Sequence, residues 1–74
     1  MDAKMKTVAY ALPHADLLKV RDGLRAGGYA VSYSRDAGTL VAKLDGLVIC
    51  RALQMGSSWC LRAVPGLFNA EEAK

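Results

Sequence analysis

Three tight-turn signals divide the stretch from Tyr29 to Ala63: Asp36-Ala37-Gly38, Asp45-Gly46 and Gly56-Ser57-Ser58. The runs between them have the length and apolar content of strands. Connections of two to four residues can only join antiparallel neighbours, because parallel strands need a long crossover. The punctuation therefore predicts a four-strand antiparallel meander.

The turns also fix a register. Asp-Gly favours a two-residue type I′ turn, which sets Leu44 opposite Leu47 and Ala42 opposite Ile49. A four-residue loop at 36–39 sets Arg35 opposite Leu40, Tyr33 opposite Ala42 and Val31 opposite Leu44. The two assignments agree: Tyr29, Val31, Tyr33, Leu40, Ala42, Leu44, Leu47, Ile49 and Leu53 fall on one face. A slip of one residue scatters that set. The other face then holds Ser32, Ser34, Thr39, Val41, Lys43, Val48, Cys50 and Ala52. A three-residue loop, Met55 to Ser57, puts Trp59 opposite Leu53 on the core face, with Cys60 and Arg62 on the open face. A loop one residue longer puts Trp59 on the open face. The first is preferred, because a lone Trp suits the interior of a small core.

Ahead of the meander, residues 5–12 alternate as a first strand, with Val8, Tyr10 and Leu12 on one face. Pro13 stops it and suits a helix start. Over 14–26, Leu17, Val20 and Leu24 recur at helical spacing. Asp16, Lys19, Asp22 and Arg25 lie opposite, spaced to pair. Gly23 is unfavourable in a helix interior, so a close packing contact is expected there. Gly27-Gly28 caps the helix. Pro65-Gly66 ends the last strand, Leu67-Phe68 folds back on the core, and Asn69 to Glu72 has capping-box spacing. The expected fold is α+β. One helix covers one face of a largely antiparallel sheet of four to five strands, in the order β-α-β-β-β-β. The first strand either pairs in parallel with the second or skips a position. Residues 1–74 make one domain, with 1–4 and 69–74 as frayed tails.

A chain of 74 residues buries only about 60% of its unfolded surface, so its stability is marginal unless packing is good or a partner helps; its 53% apolar content is generous for this size. The net charge of +3 is mildly basic, and no acidic residue occurs between Asp45 and Glu71. No apolar run is long enough for a membrane span. With no apolar leader and two cysteines, a reduced cytoplasmic setting is expected.

No set of residues carries catalysis, a metal or a cofactor. Cys50 and Cys60 are expected on the open face, unpaired, because diagonal positions about 7 Å apart are at the limit for a bridge. His14 is the only histidine and reads as an exposed first-turn residue without a nucleophile beside it. Asp36 and Asp45 are turn residues, and Asp16 and Asp22 belong to the helix surface. Gly27-Gly28 follows a helix and so does not form a phosphate site.

The candidate partner-binding residues are Arg35, Lys43, Arg51 and Arg62. Arg51 has core-face parity, opposite Leu40, so its stem is expected to be buried and its head to reach the sheet end near Arg35. Tyr29 and Tyr33 point coreward, which leaves no stacking platform for single strands. The helix-then-strands order resembles double-stranded-RNA-binding folds and small toxin folds in topology alone. Their final helix has no counterpart here and no motif residue matches, so no role carries over.

The expected function is that of a non-enzymatic binding protein with a protein-protein surface. It is read as a small inhibitor or regulator of a larger protein or nucleoprotein complex, of the kind phages direct at host defences. One alternative is a nucleic-acid-binding module using the four basic residues. Another is a self-associating structural domain. The expected oligomeric state of the chain is monomer or homodimer.

Overall fold

A computed structural model describes residues 5–68. The expected frayed tails and the Asn69 to Glu72 cap lie outside the described residues. Strand β1 is Lys6–Pro13, helix α1 His14–Ala26, β2 Ala30–Ser34, β3 Thr39–Leu44, β4 Leu47–Met55 and β5 Ser58–Ala63. The strands form one antiparallel sheet in the order β1-β5-β4-β3-β2. The fold is α+β, as the turn pattern predicts. Strand β1 pairs antiparallel with β5 at the edge opposite β2, so β3, β4 and β5 stand between β1 and β2 and no parallel pair forms. The helix crosses that gap, which lays it over one face of the sheet.

Pro13 is the residue before the helix, extended at φ −61° and ψ 150°. Its ring fixes that φ and it has no N–H to donate to a helix. At the other end Gly28 N–H bonds the Arg25 carbonyl and Tyr29 N–H bonds that of Leu24. This is a Schellman closure, and Gly28 takes the positive φ of 91° that it needs. Leu17 and Leu24 point into the core, with Leu17 fully buried. Gly23 differs from expectation: among the described residues a methyl group there meets nothing within 4 Å. No internal contact requires the glycine, so Gly23→Ala is expected to stabilise the fold by roughly 0.5–1 kcal/mol. A rise in urea midpoint at unchanged m-value is the check.

The Asp45-Gly46 turn forms as predicted, with φ of 52° and 81° as type I′ requires. The first loop is 35–38 and not 36–39, pairing Ser34 with Thr39, Tyr33 with Leu40 and Val31 with Ala42. The shift is two residues, so every side chain keeps its face. Gly38 sets the shift: its N–H closes on the Arg35 carbonyl and Ser34 Oγ accepts from Ala37 N–H. Arg35 is therefore a turn residue and does not face Leu40.

Strand β4 carries the main departure. Lys43 pairs with Val48, but Ala42 pairs with Cys50, so Ile49 is the extra residue of a β-bulge. From Cys50 onward the parity of β4 is reversed. Cys50 and Ala52 are fully buried, Arg51 and Leu53 are exposed, and Ile49 is buried as well. The reversal puts the small side chains of Cys50 and Ala52 into the core with Leu17, Leu40, Ala42, Trp59 and Ala63. It leaves the Arg51 guanidinium in water, where its charge needs no buried partner.

Gly56-Ser57 is a two-residue turn, pairing Met55 with Ser58 and Gln54 with Trp59. Trp59 is fully buried, as expected. It gets there because the shorter turn and the bulge each reverse parity and cancel. Leu44 and Leu47, expected in the core, are 49% and 40% exposed at the tip of their hairpin. In β1, register shifts on both sides of Ala9 break the alternation. Val8, Ala9 and Leu12 pack on the core while Tyr10 is exposed. Leu67 and Phe68 fold back onto the core as predicted.

Candidate functional site

The helix covers one face of the sheet and leaves the other to solvent. On that open face the register lines up Ser32, Val41, Arg51, Arg62 and Thr7 across all five strands. Arg51 and Arg62 stand directly opposite one another in neighbouring antiparallel strands, and both are exposed. Directly opposed side chains have Cβ atoms about 4.5–5.5 Å apart, and like charges there destabilise the pairing. Arg62 Nη2 lies 3.5 Å from the Met5 carbonyl, and neither guanidinium has a carboxylate partner among the described residues. Lys43, opposite Ala30 and Val48, lies on the same face. Asp16 and Asp22 belong to α1, and Asp36 and Asp45 to turns. No described strand residue is acidic.

Beside the basic row runs a second one, Ser34, Thr39, Leu53 and Cys60. Tyr10 and Ala11 together stand against Cys60, since Ala9 pairs with Leu61 and Leu12 with Trp59. Leu53, Met55 and Tyr10 are 48%, 64% and 80% exposed. The open face is thus basic on one side and apolar on the other.

The register pairs Arg51 with Arg62, puts Lys43 on the same face and leaves Arg35 apart in the β2–β3 turn. Arg51 is on the open face and not, as expected, on the core face near Arg35; the bulge at Ile49 moves it. The same bulge sends Cys50 and Ala52 inward. Leu53, Met55 and Tyr10 were missed as surface candidates. A signal for Leu53 existed in the letters. A two-residue Gly56-Ser57 turn and a buried Trp59 are compatible with the Asp45-Gly46 turn only if β4 contains one extra residue.

His14 is half-buried, not a free first-turn residue. Its ring centroid is 6.0 Å from that of Trp59 and 6.4 Å from that of Tyr33, and the latter two are 6.1 Å apart. His14 Nε2 and the Tyr33 hydroxyl are 3.5 Å apart. The Arg21 guanidinium lies 5.3 Å from the Tyr33 ring centre, a cation–π contact. The indole Nε1 of Trp59 is buried with no hydrogen-bond partner among the described residues. This group closes one end of the core.

Both cysteines are free thiols, as expected, but they occupy opposite faces: Cys50 in the core, Cys60 half-buried on the open face. Burial pushes the Cys50 thiol up from 9.0 to about 11. The fold favours the neutral thiol. Its contribution is therefore complete below pH 9 and is lost as pH rises through about 11. Cys50→Ala is expected to flatten the loss of stability across that window, read by urea unfolding at stepped pH. At neutral pH a maleimide is expected to label Cys60 at least tenfold faster than Cys50, whose labelling awaits unfolding. Mass mapping of the modified peptide distinguishes the two. Equal rates would contradict the bulged register.

Among the described residues no three His, Cys, Asp or Glu side chains cluster as a metal site. No helix among them is long and apolar enough to cross a membrane. Compared with protein families, curated proteins and solved structures, the chain matches none.

Proposed function

We propose that this chain is a non-enzymatic binding protein that engages an acidic protein surface through the open face of its sheet. The carrying observation is the opposed Arg51–Arg62 pair, without a carboxylate partner among the described residues and next to exposed Leu53 and Met55. Such a pair costs stability in the free protein and gains a carboxylate-bearing counterpart on docking. Arginine, tyrosine and methionine are the residue types enriched in protein interfaces. The single histidine and Cys50 are both engaged in packing, which favours a binding role over catalysis. A domain this small with one committed face suits a blocker or regulator of a larger protein or nucleoprotein complex. A reducing cytoplasmic setting suits its two free thiols.

The test is capture of a partner from native lysate by tagged chain, set against Leu53→Asp. That change adds a carboxylate to an exposed position on the proposed face and is expected to abolish capture while leaving the circular dichroism spectrum unchanged. Capture indifferent to Leu53→Asp would remove this face from consideration.

A second reading is favoured by the same pair, since two neighbouring guanidiniums also suit a phosphate backbone. Gel shift with duplex and single-stranded DNA and RNA at two salt concentrations tests it. Phosphate binding must weaken steeply with salt. Retention of partner capture with no shift at low salt selects the protein partner.

A further inference from the structure

On the covered side of the sheet, α1 does not close fully against β1 and β5. A cleft of about 550 Å³ remains, open to solvent. Val8 and Leu12 of β1 line one side, Val20 of α1 the other, Leu61 forms part of its wall, and Phe68 contributes from the C-terminal turn. The volume falls within the range of small-molecule sites, about 300–1,000 Å³. Gly23 also lines the cleft, and no described residue stands where its side chain would be. A helix-interior glycine with no internal contact to require it leaves bare backbone that a bound molecule can approach closely.

Among the described residues the lining includes a single charged side chain, Lys19, and no carboxylate. The Lys19 ammonium is highly exposed and its Asp16 contact is long, at 4.0 Å. It is free to swing onto another anion. Tyr29, also in the lining, adds a phenol as a second polar group.

We propose that this cleft binds an amphiphile with a slim apolar body and one carboxylate head, a medium-chain fatty acid. The alkyl chain lies along Val8, Leu12 and Leu61 under the bare backbone of Gly23, and Lys19 holds the carboxylate. The site is on the opposite side of the sheet from the open face and does not depend on the reading of that face.

Calorimetric titration of the purified chain with hexanoate, octanoate, decanoate and decanol, below their micelle concentrations, tests the proposal. Affinity is expected to rise about fourfold per added methylene until the cleft is full, following the transfer free energy of a buried CH₂. Decanoate is expected to bind more tightly than decanol. Lys19→Glu should erase that preference without weakening decanol. Gly23→Leu, which fills the cleft, should weaken every ligand tenfold or more, with thermal unfolding confirming that the variant folds. Failure to bind decanoate, equal affinity for decanol, or insensitivity to Gly23→Leu would each overturn the proposal. So would light scattering that shows a dimer dispersed by Gly23→Leu, since a second copy would then occupy the cleft.

Discussion

Replacing Trp59 with alanine is expected to destabilise the fold by about 3–5 kcal/mol, the usual range for a large buried aromatic. The residue is fully buried and is the largest such side chain in the core. Its ring lies against His14 and Tyr33, so it ties the start of α1 to the far edge strand β2. Its core partners include the small residues Ala42, Cys50, Ala52 and Ala63, which offer little volume to refill a cavity. A domain of this size has little stability in reserve, so the variant should be largely unfolded near 37 °C. Urea unfolding followed by circular dichroism measures the change. Trp59→Phe keeps most of the ring volume and removes an indole N–H that has no partner among the described residues. It should cost much less than the alanine change. A loss under 1 kcal/mol for Trp59→Ala, well below the expected range, would mean that the indole does not hold the two sides together.

The second large effect concerns binding. Arg51→Glu alone puts a carboxylate opposite Arg62, turning a like-charge pair into an attractive one, worth roughly 0.2–1 kcal/mol of added stability. The same change should weaken the proposed partner, because an acidic surface would then face a carboxylate. Arg51→Glu with Arg62→Glu restores like-charge opposition, so stability should return to near the starting value. Partner affinity should fall about 100- to 1,000-fold, or roughly 3–4 kcal/mol. Surface plasmon resonance against the captured partner, paired with urea unfolding, separates the two quantities. A double variant that binds at full strength would end the case for an acidic partner on this face. Stability that falls in the single variant would instead contradict the opposed register of Arg51 and Arg62.

Strong local signals were legible in the letters. Asp45-Gly46 makes the turn its composition favours, and the helix runs over 14–26 as its apolar spacing and Pro13 dictate. Gly27-Gly28 closes it as a left-handed cap should. The error at the β2–β3 loop was harmless, because a two-residue shift keeps the side-chain faces. The error in β4 was not. The run Val48-Ile49-Cys50-Arg51-Ala52-Leu53 places apolar groups on either face, so alternation alone does not choose between parities. That ambiguity misplaced Arg51, Leu53, Cys50 and Ala52, and with them half of the candidate site. His14 was misread for a similar reason. Its neighbours in sequence give no sign that β5 brings Trp59 beneath it.

By itself, then, the sequence determined where the three turns fall to within a residue, the helix, the antiparallel meander and a stretch without acidic residues between Asp45 and Glu71. These depend on backbone preferences and on spacing within a few residues. Only the tertiary structure decided which face each β4 side chain occupies and where β1 joins the sheet. It also decided that an uncovered cleft remains beside Gly23. Those outcomes depend on contacts between residues far apart in the chain. Ile49 enters as a bulge, so Cys50 and Ala52 join the core and the charged Arg51 stays in water. The bulge turns Arg51 out to meet Arg62.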